Sequence, residues 1–324
     1  MTDNAIVPVA EAVNHKITSL AEAAADYAAS GKAANTRRAY ESDFADFASW
    51  CASVGADPLP ASAPLLALYL TERAATLAVS TLARRIAAIN AAHDHNGMPP
   101  PRGAELSAVW DGIRRRHGRP PRKKRGLLVD DLVKVCRKLP DTLTGVRDRA
   151  ILAVGFAGAL RREELAALSF DANARVRAEF VAEGLLIHIG KSKGDQEGNG
   201  AIVAVPHGKR LCPVAALQAW LTASGETSGP VFRAINCHGQ VWGDGVCDKT
   251  IATVVKRAVK AAGFDPRQFG GHSLRRGLAT SAHRGGAADG EIQRHLRHAR
   301  LETTMGYVED ASRFATTAAR KARL

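Results

Sequence analysis

Apolar residues recur at helical spacing along the first third of the chain. In NTRRAYESDFADFASWC, Tyr40, Phe44, Phe47 and Trp50 or Cys51 stand three or four residues apart, which predicts one amphipathic face, with Asn35 and Thr36 as capping residues ahead of it. A second helix after PLPASAP carries Leu65, Leu66, Tyr69 and Leu70. A third runs through STLARRIAAINAAHDHNG, capped by Ser80 or Thr81 and stopped at Gly97, with Leu82, Ile86 and Ile89 toward a core and Arg84 and Arg85 elsewhere. After the loop MPPPRG a short helix around ELSAVWDGI closes the unit. These elements predict a helical bundle over residues 14–112, an ordinary domain size.

From Leu127 the pattern begins again with the helix LLVDDLVKVCRKL, followed by TGVRDRAILAVGFAGALRREELAAL, read as helical throughout. Its apolar stretch between Arg149 and Arg161 is about eleven residues, short of the roughly 20 that span a membrane, so it predicts a core helix. The period then changes from 3.6 to two. AEGLLIHIG and AIVAVPHG alternate on either side of the polar turn KSKGDQEGNG, which predicts a hairpin. Helical spacing returns in CPVAALQAWLTAS, in DKTIATVVKRAVKAAG and after Gly271 and Ala288. The expected fold is mainly α with a small β-sheet, in two domains, 14–112 and 127–324, joined by a linker over 113–126. A chain of 324 residues exceeds what one core usually supports, and agrees with that division.

Charge changes the picture. Lys and Arg number 45 against 32 Asp and Glu, a formal +13 that favours polyanionic partners. Between Arg114 and Arg125, RRRHGRPPRKKR holds eight Lys or Arg and no acid, while Pro120 and Pro121 forbid a continuous helix. An extended cationic strap between two domains is suited to tracking a phosphate backbone, which makes Arg122, Lys123, Lys124 and Arg125 candidate DNA contacts. Five cysteines without a CxxC pair indicate neither a disulfide framework nor a zinc site. The start MTDNAIVPVAEAV lacks the features of a signal peptide, and a cytoplasmic protein is expected. No HxH, DxD or ExK cage for a divalent metal stands out, and no metal or cofactor is expected.

Candidate chemistry lies in the second domain. In GALRREELAAL, helical phase puts Arg161 on the apolar stripe with Leu165 and Leu168, and a guanidinium facing a core needs a partner or a task. Glu164, three residues on, can be that partner, so a purely structural ion pair stays open. In GGHSLRRG, His272 and Arg275 lie three apart at a helix start, where both can reach one anion. A capping histidine beside a surface arginine is the plainer alternative. DGEIQRHLRHA delivers His298 at a helix end, and Tyr307 follows nine residues later in LETTMGYVED. A lone tyrosine is usually a packed aromatic. Its company is what raises it: two arginines, two histidines and a hairpin lysine in the same domain. Lys191 and Lys193, two apart, share a strand face, and pattern does not separate them.

ALRREEL, the turn with SKGDQEG, HSLRR, LRHA and TTMGY resemble, in order and spacing, the tyrosine recombinase or phage integrase family. NTRRAYESDFADFASWC and STLARRIAAI resemble its helical core-binding domain, so the likeness covers nearly the whole chain. It implies a site-specific recombinase that cleaves and rejoins DNA through a 3′-phosphotyrosyl link, for integration, excision or resolution. In that family's terms Tyr307 is the nucleophile, Arg161 and Arg275 clamp the scissile phosphate, His272 and His298 complete the site, and Glu164 supports it. The SK order of the turn favours Lys193 as general acid over Lys191. Arg37, Arg84 and Arg85 become DNA contacts of the first domain. The implied partner is double-stranded DNA with a specific core site, bound by a homotetramer during synapsis. A silent DNA-binding protein on the same scaffold and a relaxing enzyme of the type IB topoisomerase kind are the alternatives. The sequence departs from the family where LRH stands in place of the usual LGH: Arg297 replaces a glycine. Arg276 is a second extra charge without an assigned role.

Overall fold

A computed structural model describes residues 16–24, 27, 31, 34–120, 123–190 and 200–312, and the chain divides into two compact units, residues 1–121 and 122–324. Among the described residues no helix is long and apolar enough to cross a membrane.

The first unit packs α1 (Ala34–Ser53) on α3 (Val79–His95) and α2 (Ala63–Arg73) on α4 (Ala104–His117). Phe47, Trp50, Leu66, Tyr69, Leu70, Leu82 and Ile89 form its core. The Tyr69 ring stands edge-on to Phe47 and Trp50, with centroids 5.0 and 5.2 Å away. Its hydroxyl donates to Asp46 Oδ2 at 2.7 Å, which satisfies the polar end of an otherwise buried side chain. Buried His93 donates from Nδ1 to Ile89 O (2.8 Å) and accepts the Ala61 N–H on Nε2 (2.9 Å).

Helix starts in this unit differ from the sequence reading. α1 begins at Ala34, so Asn35 and Thr36 lie inside it, and Asn35 Oδ1 accepts from Arg38 Nη2 instead of capping. α3 begins at Val79 with Ala78 as its cap residue, which puts Ser80 and Thr81 in the first turn. Both starts are set by packing of the apolar face, which outweighs a cap worth about 1 kcal/mol. α4 continues to His117, so Arg114, Arg115 and Arg116 belong to a helix end and not to an extended linker. Cations there complement the negative end of the helix dipole.

The second unit is mostly helical. α5 (Val129–Arg137), α6 (Leu143–Ala157) and α7 (Arg162–Ala166) precede a sheet of β1 (Leu168–Ser169), β2 (Val176–Val181), β3 (Gly184–Ile189) and β4 (Ala201–Pro206). The strand order is β1-β2-β3-β4, with β1 parallel to β2 and the other pairs antiparallel. The β3–β4 pair is the expected hairpin, in register from Gly184↔Pro206 to Ile189↔Ala201. β2 gives little sign of itself in the sequence: its alternation rests on Val176 and the small Ala178, while Phe180 is 37% exposed. α8 (Pro213–Ser224) packs on α6, and the short pair β5 (Ala234–Ile235) and β6 (Val241–Trp242) leads to α9 (Asp248–Ala261). A 3-10 turn at Pro266–Gln268 precedes α10 (His272–Arg284), α11 (Asp289–Leu296) and α12 (Leu301–Ser312).

One expected helix is two. α6 ends at Ala157, Ala159 takes a left-handed φ of 45°, and Arg161 is the residue before α7. Arg161 therefore does not share a helical stripe with Leu165 and Leu168. The break turns the Ala159 carbonyl away from the helix axis and toward α10, where it is used.

Candidate active site

The α6–α7 break builds one wall of the site. Glu164, fully buried, accepts the Arg161 backbone N–H on Oε2 (2.8 Å) and the Arg161 Nη1 on Oε1 (2.7 Å). Its carboxylate thus fixes both the start of α7 and the guanidinium in front of it. The structural ion pair expected from the sequence exists, and the guanidinium it holds keeps a partly exposed edge, its side chain 19% accessible.

α10 forms the second wall. Arg275, only 2% exposed, donates from Nη1 to Ala159 O at 2.7 Å and from Nη2 to Leu296 O. Its partners are neutral carbonyls, so it is held without being neutralised. Burial, then Arg161 and Arg297, push its pKa down to about 10, which leaves it charged at neutral pH. His272 opens the same helix. A Cβ on Gly271 just before it would lie 2.0 Å from Arg162 Cγ and Cδ, so only glycine lets that side chain cross the helix start to its Asp248 partner at 3.3 Å.

α11 and α12 complete the arrangement. α11 ends in Arg297, whose φ of 56° and ψ of 47° are left-handed, and the turn delivers His298. The His298 backbone is tied to Gln293, its N–H donating to Gln293 O (3.2 Å) and its carbonyl accepting Gln293 Nε2 (3.0 Å). His298 Nδ1 shares a 2.9 Å hydrogen bond with buried Thr304 Oγ1, and its ring centroid is 5.3 Å from that of Tyr307. Tyr307, half-buried on α12, is held through its backbone by Thr280 Oγ1, which donates to Tyr307 O (3.0 Å). Lys123 Nζ donates to Gly306 O (3.0 Å), and the Arg276 guanidinium lies 5.9 Å from the Tyr307 ring centroid.

Electrostatics follow from this crowding of cations. His298 is pushed down to about 4, by burial first and then by Arg275, Arg161 and Arg297. His272 shifts down as well, through burial, Arg162, Arg275 and Arg161. Both imidazoles are therefore neutral at pH 7 in the free protein. Burial acts to raise Glu164, but Arg297 and the Arg161 hydrogen bonds more than offset it, and the carboxylate stays ionised below its ordinary range.

Beside Tyr307 an open cleft of about 750 Å³ is lined by, among others, Lys123, Lys124, Arg267, Arg276 and Arg284, with no acidic side chain. His272, Tyr307 and one acid, Glu302, line a neighbouring hollow that shares Lys123, Lys124 and Arg276 with it. The basic run is packed along this unit: Lys124 Nζ donates to Arg267 O (2.6 Å), Arg125 pairs with Asp131 (2.9 Å), and the Arg125 N–H donates to Gln268 O (2.8 Å).

Of the residues singled out from sequence, Arg161 pairs with Glu164, the His298 ring lies near that of Tyr307, Arg275 and Arg161 are near enough to His298 to lower its pKa, and His272 lines a hollow with Tyr307. Lys191, Lys193 and Arg122 lie outside the described residues. In the first unit Arg37 is exposed on α1. Arg84 Nε and Asp43 Oδ2 form a 2.6 Å ion pair, and Arg85 pairs with Asp46, so these two tie α3 to α1. Sequence reasoning missed Thr280 and Thr304. Thr304 stands one helical turn before Tyr307 in TTMGY, a spacing that could have flagged it. Thr280 carried no signal, because its partner is a backbone carbonyl remote in sequence.

The family model described as phage integrase family matches residues 127–313. An integrase/recombinase XerD homolog of Selenomonas ruminantium is 34% identical over 294 residues, 89% of this chain and 85% of its own. The tyrosine recombinase XerC of Pelobacter propionicus is 29% identical over 287 residues, 84% of each chain. Among solved structures, a lambda integrase dimer bound to a COC′ core site matches with a TM-score of 0.60 at 14% identity, over 97% of this chain and 84% of that one. The XerH site-specific recombinase in its post-cleavage complex with a palindromic difH substrate matches with a TM-score of 0.56 at 17% identity, over 82% and 72%. At such identities the two structures speak for the fold.

Proposed function

The chain belongs to the phage integrase family and is a tyrosine recombinase, and on that premise we propose that Tyr307 is its nucleophile, acting on a phosphodiester held by Arg161 and Arg275. Tyr307 Oη bonds to phosphorus, the bond from phosphorus to the 5′ oxygen breaks, and the protein is left on the 3′ phosphate. His298, neutral and with its ring tilted against that of Tyr307, takes up the phenolic proton. Lys193, which lies between β3 and β4 in sequence, protonates the leaving oxygen. The phosphotyrosyl link keeps the energy of the phosphodiester, so attack by a second 5′ hydroxyl reverses the step on a new strand.

The observation that carries this reading is the net charge around one point. Arg161 and Arg275 approach from two walls, the first held by Glu164 and the second by neutral carbonyls, with His272, His298 and Tyr307 alongside. Fixed guanidiniums stabilise the charge that grows on the nonbridging oxygens more in the transition state than in the ground state. The predominantly basic cleft beside Tyr307 supports DNA contact by Lys123, Lys124 and Arg125, with Arg122 beside them in sequence. In the first unit the reading retains Arg37 and the exposed edge of Arg84 as DNA contacts, whereas Arg85, its side chain 12% accessible and paired with Asp46, is structural. Its substrate is double-stranded DNA with a specific core site. The working assembly is a homotetramer at synapsis, a reading supported by the fold shared with a lambda integrase tetramer solved on a Holliday junction.

Tyr307→Phe tests the assignment. It should bind the site as the wild type does and form no covalent adduct on a nicked suicide substrate, because only the hydroxyl is lost. An adduct of undiminished yield would remove Tyr307 from the role.

A further inference from the structure

Arg297 occupies a backbone conformation that suits glycine and crowds any residue with a Cβ. Its side chain does not run out to solvent. It turns into the site, 12% accessible, where Nη2 donates to Glu164 Oε2 at 2.9 Å and lies 3.4 Å from Ala159 O. Those are the two acceptors that also hold Arg161 and Arg275. Nε and Nη1 of Arg297 are buried without a hydrogen-bond partner among the described residues, so packing alone does not account for the side chain's place.

We infer that Arg297 is a positioning residue of the phosphate clamp, acting through Glu164. A carboxylate paired with Arg161 alone would cancel much of the positive field that Arg161 presents to a phosphate. Shared between two guanidiniums, the same carboxylate fixes Arg161 in place while the three arginines and one glutamate keep a formal net charge of two positive units. Arg297 adds a third hydrogen bond to the carboxylate, on the Oε2 that also accepts the Arg161 backbone N–H, while Oε1 keeps the Arg161 guanidinium. The inference rests on the assignment of Arg161 to the scissile phosphate.

The test is the single-turnover rate of adduct formation on the suicide substrate, with DNA affinity and thermal unfolding measured on the same full-length proteins. R297G suits the backbone, so it should fold and bind DNA nearly as the wild type does. Its cleavage rate should fall roughly 10- to 100-fold, the scale of a slightly misplaced clamp. R297K keeps the charge but not the planar fork, and should recover only part of that loss. In combination with E164Q the loss should not multiply: the double variant should cleave no more slowly than the slower single one. A wild-type rate in R297G overturns the inference. So does a multiplied loss in the double variant, which would mean that Arg297 acts without Glu164. R161A is run alongside. Should it cleave normally, the assignment of Arg161 falls, whereas an inactive R161A beside a fully active R297G sinks the role of Arg297 alone.

Discussion

His298 is the residue at which the electrostatics of the site can be measured most directly. Its pKa of about 4 in the folded protein lies below the ordinary 6.5, because burial and three guanidiniums oppose its protonation. As pH falls from 6.5 toward 4 the unfolded chain takes up a proton that the folded chain refuses, so the fold loses stability across that window and is unaffected by this group above it. His298→Gln should therefore flatten the dependence of Tm on pH between those limits, leaving a residual slope from His272 and His295, which are also shifted down. Parallel wild-type and variant curves would show that His298 titrates as a free imidazole. Glu164 acts in the same direction at lower pH: its stabilisation is present above the ordinary 4.5 and is lost as pH falls through its depressed folded value. His298 and Tyr307 were legible as candidate residues by type and order. The neutral state of His298 was not, since it depends on Arg161, Arg275 and Arg297 converging from three separate segments.

Elements meet closely where the segment after the basic run crosses α10. The Leu127 N–H donates to Ser273 O at 2.8 Å, and a Cβ on Gly277 would lie 1.9 Å from Leu127 O. That approach explains a glycine in mid-helix, where it otherwise costs about 1 kcal/mol against alanine. Gly277→Ala should lower stability by about 1–3 kcal/mol in denaturant unfolding, because only backbone can move aside. An unchanged midpoint would mean that residues 126–127 do not lie against α10. Long-range partnership of elements also explains why the α6–α7 segment differs from its sequence pattern. GFAGALRREEL contains no proline, so its apolar spacing reads as one helix. The chain breaks there because a left-handed Ala159 frees a carbonyl that Arg275 can use, a partner 116 residues away.

At the scale of the whole molecule, eight of the 45 Lys and Arg stand in the basic run without an intervening acid, and Lys123, Lys124 and Arg125 of that run line the cleft beside Tyr307. Replacing Arg122, Lys123, Lys124 and Arg125 together by Ala should weaken binding to all DNA sequences alike. It should also flatten the plot of log affinity against log salt by about one unit for each phosphate that is no longer neutralised. A slope equal to that of the wild type would assign these cations to solvent or to their internal acceptors, Gly306 O and Arg267 O among them. Arg114, Arg115 and Arg116, which lie in α4, are left in place as the comparison.

Helical periods, the hairpin, the excess of cations and the candidate reactive side chains are all legible in the sequence, because each is written in local spacing or residue type. Tertiary structure decided which arginine keeps its charge and which is paired. Arg161 meets a carboxylate, Arg275 meets two neutral carbonyls, and Arg297 turns inward to share Glu164. It also decided that Arg84 and Arg85 hold α3 to α1 through Asp43 and Asp46. The physical reason is the same in each case: a guanidinium has five donors and a long flexible stem, so its partner is chosen by whatever acceptors folding brings within reach, not by its neighbours in the chain.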